Sequence, residues 1–191
     1  MRALALTPLL ACAAAPGPGP LEAAALVREV AELGEPSEAR ELCSGAGAWQ
    51  AWCEERWVLA AAARGLAEEE LLLGCGTDAC RFFVLDQSRE PDVLIRIARC
   101  QSVAGEHAGD CVSHALLRWM AGDPQAEEIA RVAAAPADPV NMPYTVGQAA
   151  GCAALPACPP MPRGTALCEL GRILTTPGSE ACVGPGPTWA W

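Results

Sequence analysis

Apolar residues recur every three or four positions along most of the chain, the spacing that lays one stripe down an α-helix. Between Leu21 and Leu33, residues Ala23, Leu26, Val27, Val30 and Leu33 share a face, and Gly34 stops the run. Pro36 suits the first turn of a second helix reaching Cys43. Residues 48–64 set Trp49, Cys53, Trp57 and Ala60/Ala61 on one stripe. Residues 66–73 begin with a glutamate-rich turn, which favours a helix N-terminus, and Gly74 and Gly76 break the chain after them. Residues 92–100 place Val93, Leu94 and Ile97 opposite Arg96 and Arg99. Asp123-Pro124 reads as a cap followed by proline at the first helical position, with Ile129, Ala130, Val132 and Ala133 continuing that helix. Shorter helices fit 144–151 and 165–175. No segment alternates as a half-buried strand would; Arg81–Asp86, RFFVLD, comes nearest.

The predicted fold class is all-α: disulfide-stapled helical hairpins, or a short irregular solenoid of them. The expected divisions are 1–12, an export signal; 13–20, a Pro/Gly tether; 21–135, a helical domain with paired cysteines; and 136–191, an extension. Seven prolines between Pro136 and Pro162 predict a loop-dominated extension held by its cysteines.

Composition bears on how such a fold is held. Apolar residues make up 52% of the chain, but much of this is alanine, and six of the nine aromatics are tryptophan. At roughly 25 cal/mol per Å² of buried apolar surface, an alanine-rich core is thin. Trp49, Trp52, Trp57 and Trp119 sit at helical spacing and are assigned to that core. Trp189 and Trp191 follow a GPGP hinge. They either pack back on the body, the commoner outcome, or offer an anchor to a partner.

The cysteines supply the missing support. There are eleven: Cys12, Cys43, Cys53, Cys75, Cys80, Cys100, Cys111, Cys152, Cys158, Cys168 and Cys182. Setting Cys12 aside leaves an even ten. Neighbour pairing gives 43 with 53, 75 with 80, 100 with 111 and 158 with 168, leaving 152 for 182. Sequence alone does not fix connectivity. Each short loop so closed contributes about 2–3 kcal/mol in the chain-entropy model, and ten such thiols belong in an oxidising compartment. The alternative is a metal or redox site. His107, Cys111 and His114 lie at offsets of four and seven, with Cys100 nearby. Its geometry is poor, because the two histidines are about 10.5 Å apart along a helix and face away from the apolar stripe of Val112, Ala115, Leu116 and Trp119. No CxxC knuckle or CxxCH haem motif occurs.

The N-terminus, MRALALTPLLACAAA, has one arginine, a short apolar run and small residues, the plan of an export signal. Leu9-Leu10-Ala11-Cys12 resembles the bacterial lipobox. That resemblance implies a diacylglycerol on the Cys12 thiol and cleavage before it. Ala13, rather than aspartate, after the cysteine then implies outer-membrane attachment, facing periplasm or exterior. The leader is shorter than such signals usually are. An ordinary signal cut after Ala13 or Ala15, giving a secreted protein, is the alternative. The second cysteines of the pairs step by 27, 31 and 57 residues. That is similar in plan to tetratricopeptide-type and Sel1-type helical repeats, without their consensus residues.

Net charge is −10, which argues against nucleic acid and against electrostatic docking on anionic lipid. No apolar run reaches the roughly 20 residues of a transmembrane helix, so membrane contact is expected through the lipid anchor alone. No nucleophile elbow, phosphate loop or selectable carboxylate pair appears, and no cofactor is implied. The expected function is therefore a membrane-anchored helical scaffold or binding module for a protein or peptide partner, not an enzyme. A His/Cys metal or redox protein and a secreted disulfide-rich inhibitor are the alternatives.

Overall fold

The computed structural model describes residues 18–105, 107–135 and 142–183, and every regular element among them is helical. The order is α1 (Pro20–Glu32), α2 (Pro36–Ser44), a 3₁₀ turn (Gly47–Trp49), α3 (Gln50–Ala63), α4 (Glu68–Gly74) and α5 (Asp78–Asp86). Then come α6 (Val93–Cys100), α7 (His107–Ala121), α8 (Ala126–Ala134), α9 (Met142–Cys152), α10 (Thr165–Leu174) and α11 (Glu180–Val183). The all-α, disulfide-stapled plan holds.

One local expectation is corrected, at Asp123. RFFVLD, the segment nearest to a strand, is helical like the rest, within α5. Thr77 caps that helix by accepting from the Cys80 backbone N–H at 3.2 Å, and Cys80 is tied to Cys75, so the turn fixes the helix start despite the strand-like composition. Asp123 is not a helix cap. It sits in the left-handed region, φ 55°, closing the end of α7, and α8 starts three residues later behind Gln125. Aspartate tolerates that conformation better than most residues. A loop-dominated extension beyond Pro136 is not confirmed: among the described residues there, α9 and α10 form a tightly packed helix pair.

The α1–α5 segment packs around Trp57, which is fully buried. Val30, Ala39, Cys43, Cys53, Val58, Leu71, Cys80 and Val84 surround it. Its indole N–H donates to the Leu33 carbonyl at 3.2 Å, so the ring's one polar atom is satisfied. Arg64 reaches the same helix end, donating to the carbonyls of Ala31 and Leu33, both at 2.7 Å. These are the carbonyls a helix C-terminus leaves unpaired. Gly74 lets the ring lie close, because a Cβ at that position would be 2.1 Å from the Trp57 ring.

A second core joins α6 to α10 through Val93, Ile97, Leu116, Trp119, Ile129, Val132, Met142, Val146 and Cys168. It contains residues on both sides of position 136. A smaller cluster of Leu85, Cys100, Val103 and Cys111 lies where α5, α6 and α7 meet.

The α9–α10 pair depends on glycine. Gly164 lies against Pro143, Gly147 against Cys168, and Gly151 against Arg172 and Thr175, so the two helices run parallel. A Cβ on Gly147 would sit 2.0 Å from the Cys168 carbonyl oxygen, and one on Gly171 would sit 2.3 Å from that of Tyr144. The backbones touch, which only missing side chains permit. The Gly147-Gln148-Ala149-Ala150-Gly151 spacing puts both α9 glycines on one face.

Candidate functional site

The ten cysteines close into five pairs: Cys43–Cys53, Cys75–Cys80, Cys100–Cys111, Cys158–Cys168 and Cys152–Cys182. Three consecutive helix pairs, α2/α3, α4/α5 and α6/α7, share one arrangement. A cysteine at or just past the end of the first helix meets one in the first five residues of the next. Cys12 lies outside the described residues.

Both cysteines of the His/Cys set lie in one disulfide. Cys100 and Cys111 bond to each other, so neither offers a thiolate to the His107 and His114 side chains. Among the described residues no three His, Cys, Asp or Glu side chains gather as a metal would require. The histidines instead pack on one aromatic ring. His107 stacks on Phe82 at 5.7 Å between ring centroids, and His114 meets it edge-on at 5.2 Å. His114 Nδ1 lies 2.9 Å from Asp86 Oδ1, and Arg118 approaches the other oxygen at 3.4 Å. These contacts fasten α7 to α5. Beside them is a cavity of about 10 Å³ lined by Asp86, Ser88, Arg96, Arg99, His114 and Arg118, among others. It has room for about one water. Burial, reinforced by the nearby Arg118 charge, lowers the Arg96 pKa.

A second polar centre lies inside the α1–α5 half. Glu54, 1% exposed, accepts from Gln50 Nε2 at 2.8 Å and from the Thr77 backbone N–H at 3.0 Å and hydroxyl at 2.6 Å. It therefore ties α3 to the turn that starts α5. Gly76 leaves room for it, since a Cβ there would come within 2.8 Å of Glu54 Oε1. Every donor and acceptor in this group is internal, so its role is architectural.

No family model, no curated protein and no solved structure matches this chain. Function must be read from its own surface.

Trp49 and Trp52 correct the sequence reading most usefully. Both were expected in the core beside Trp57 and Trp119. Trp57 and Trp119 are buried, but Trp49 is 40% and Trp52 36% exposed. The 3₁₀ turn at Gly47–Trp49 is the cause. It shifts the phase before α3 begins at Gln50, so Trp49 leaves the stripe that carries Cys53 and Trp57. Trp52 precedes Cys53 by one residue and so falls about 100° off that stripe. The two indoles meet edge to face at 6.0 Å, and the Arg56 guanidinium lies over Trp52 at 5.8 Å. Leu59, 46% exposed, extends the patch along α3. Burial raises the Glu55 pKa, against the pull of Arg56. An open hollow of about 610 Å³ between α2 and α4, lined by Glu35, Ser37, Arg40, Glu41 and Leu73 among others, is separate from this patch. The groups with displaced pKa values, Glu55, Asp92, Arg96, Arg131 and Glu169, are spread over four helices or their caps rather than gathered in a cleft.

Proposed function

We propose that this chain is an exported, membrane-tethered helical binding module, and that Trp49, Trp52, Arg56 and Leu59 form the surface meeting its protein partner. The exposed Trp49–Trp52 pair carries the reading. Tryptophan and arginine are the residues most enriched where proteins bind each other, and an edge-to-face pair is a rigid contact that loses little entropy on binding. Arg56 gives the patch a cation in a chain of net charge −10, so the matching surface combines an apolar side chain with a carboxylate.

Five disulfides suit an oxidising, extracytoplasmic compartment. No helix among the described residues is long and apolar enough to cross a membrane. The lipobox resemblance at Leu9–Cys12 then supports a diacylglycerol tether on Cys12, placing the module at the cell envelope.

Two experiments test these parts. A photo-reactive phenylalanine analogue at Trp52 is compared in the native envelope with the same probe at exposed Glu127. A discrete protein adduct from position 52 and none from 127 is expected. Equal labelling, or none at 52, removes the partner surface. Intact mass with and without reduction tests the tether. The expected product begins at a diacylated Cys12 and carries ten oxidised cysteines. A soluble product beginning after Ala13 or Ala15 would remove the tether and favour a secreted protein.

A further inference from the structure

The exposed side of α3 is complementary to itself. Trp49, Trp52, Arg56 and Leu59 are all exposed and follow one another at steps of three, four and three residues. That is the spacing of a seam between two packed helices. Trp49 meets Trp52 at 6.0 Å between ring centroids, and Arg56 lies over the Trp52 ring at 5.8 Å, so the side chains form one continuous row. Cys53 and Trp57, one position further on from Trp52 and Arg56, are fully buried, so the row is the outward side of the helix. Among the described residues no other tryptophan is exposed; Trp189 and Trp191 lie outside them.

The row is ordered symmetrically about position 54. Trp52 and Arg56 stand two residues to either side of it, and Trp49 and Leu59 five. In a two-fold interface residue i of one copy meets residue j of the other, and j meets i. Two α3 helices packed antiparallel about an axis level with position 54 therefore set Trp52 of each copy against Arg56 of the other, and Trp49 against Leu59. The first pairing places a guanidinium on an indole face, and the second packs an indole on an aliphatic side chain. The two Arg56 side chains stand about 6 Å apart along the axis, whereas parallel packing would set them directly opposite each other. Charge points to the same occupant. The surface that matches this patch combines apolar side chains with a carboxylate, and the patch itself has both. Glu55, half-buried, flanks Arg56 on the same helix. In an antiparallel pair that flank lies beside its own counterpart, so Arg56 of each copy reaches Glu55 of the other. Glu55 and Arg56 cancel, so two chains of net charge −10 meet on a face that carries no net charge. The exposed row offers on the order of 400 Å² per copy, half of a standard interface, which suits a weak and reversible association.

We infer that the partner of the Trp49–Trp52 surface is a second copy of this chain, docked through antiparallel α3 helices with Trp52 of each copy on Arg56 of the other. This rests on the reading of that surface as the partner site and names its occupant.

The test is sedimentation of the full, oxidised chain between about 1 µM and 1 mM, where a reversible monomer–dimer equilibrium is expected. Arg56→Glu and Leu59→Glu should each weaken it about tenfold or more, and Arg56→Lys should keep most of it. These side chains are exposed, so circular dichroism of the variants should match the parent. With the photo-reactive phenylalanine analogue in place of Trp52, a mixture of isotope-labelled and unlabelled chains should give mixed adducts joined near Arg56. A chain that stays monomeric to 1 mM overturns the inference. So does a dimer that both glutamate variants leave intact, or one lost instead on Ile173→Glu, at the exposed apolar face of α10. In the native envelope the same probe separates the two readings. An adduct between two copies supports both. An adduct with a different protein keeps the partner surface but overturns the second copy, and no adduct removes the surface and this inference with it.

Discussion

The core around Trp57 and the α9–α10 pair hold helices together by opposite means. In the first, one large side chain fills the space between α1, α3 and α4, and its N–H binds the end of α1. In the second, side chains are absent where the helices meet, and backbone touches backbone at Gly147, Gly151 and Gly171. The first arrangement can adjust by tilting a ring or a rotamer. The second has nothing to move except a helix. Disulfides serve both halves, but differently. Cys43–Cys53 and Cys75–Cys80 span ten and five residues and fix turns, whereas Cys152–Cys182 spans thirty and fastens α11 to α9.

Trp57→Ala should have the largest effect, about 3–5 kcal/mol, because it opens a cavity under three helices and leaves little to fill it. Gly147→Ala should follow at about 3 kcal/mol. The added methyl meets the Cys168 carbonyl, and α10 must move to make room. Gly74→Ala adds a methyl at a nearly identical 2.1 Å, but against the Trp57 ring. It should cost less, about 1–2 kcal/mol. Urea unfolding of the three variants reads these values. Equal losses for Gly74→Ala and Gly147→Ala would erase the distinction between a side-chain and a backbone contact.

Glu54 sharpens the comparison further, since it is the polar counterpart of Trp57 in the same half. Glu54→Leu removes the acceptor for the Thr77 N–H and hydroxyl and for Gln50. A loss of about 2 kcal/mol is expected. Thr77→Ala removes the α5 cap as well and should cost about 1 kcal/mol. The double variant should lose less than the sum, because the two residues share one network. A strictly additive pair would mean that Glu54 does not act through Thr77.

The sequence showed some of this and hid the rest for definable reasons. The helices at α1, α2, α3, α6, α9 and α10 were readable because a 3.6-residue period and local caps act within the segment itself. The disulfide partners were readable because short loops favour neighbours. The α9–α10 contact was not, since prolines on both sides suggested loop and a glycine pair carries no apolar signal. Trp49 was misplaced because the 3₁₀ turn shifts the phase before α3, over which periodicity averages, and Trp52 because it falls about 100° off the Cys53–Trp57 stripe. The His107–Cys111–His114 spacing suggested a metal, but the Cys100–Cys111 bond took the sulfur. Asp86, which holds His114, lies on α5, 28 residues away in sequence. Nothing in the spacing pointed to it.

The smallest expected effect separates the two halves by acid. In the second half, the pKa of Asp92 is lowered, chiefly by its bond from Arg131 at 2.8 Å and also by the Leu94 N–H. That of Glu169 is lowered by the Cys158 N–H and then by Arg172. A carboxylate lowered in the folded state contributes stability that is complete above its unfolded value, about pH 4, and is lost as pH falls through the lower folded value. In the first half, the Glu55 pKa is raised, chiefly by burial. Its contribution has the opposite sense: it favours the fold below the unfolded value and is lost as pH rises through the folded one. Acidification from pH 6 to pH 3 should therefore loosen the α6–α10 half before the α1–α5 half. Asp92 is substantially exposed, so its share is about 0.5 kcal/mol after screening. Amide exchange along α3 and α10, followed against pH, reads the order directly. Asp92→Asn should flatten the response in the second half alone, and loosening of both halves together would show that these carboxylates do not set it.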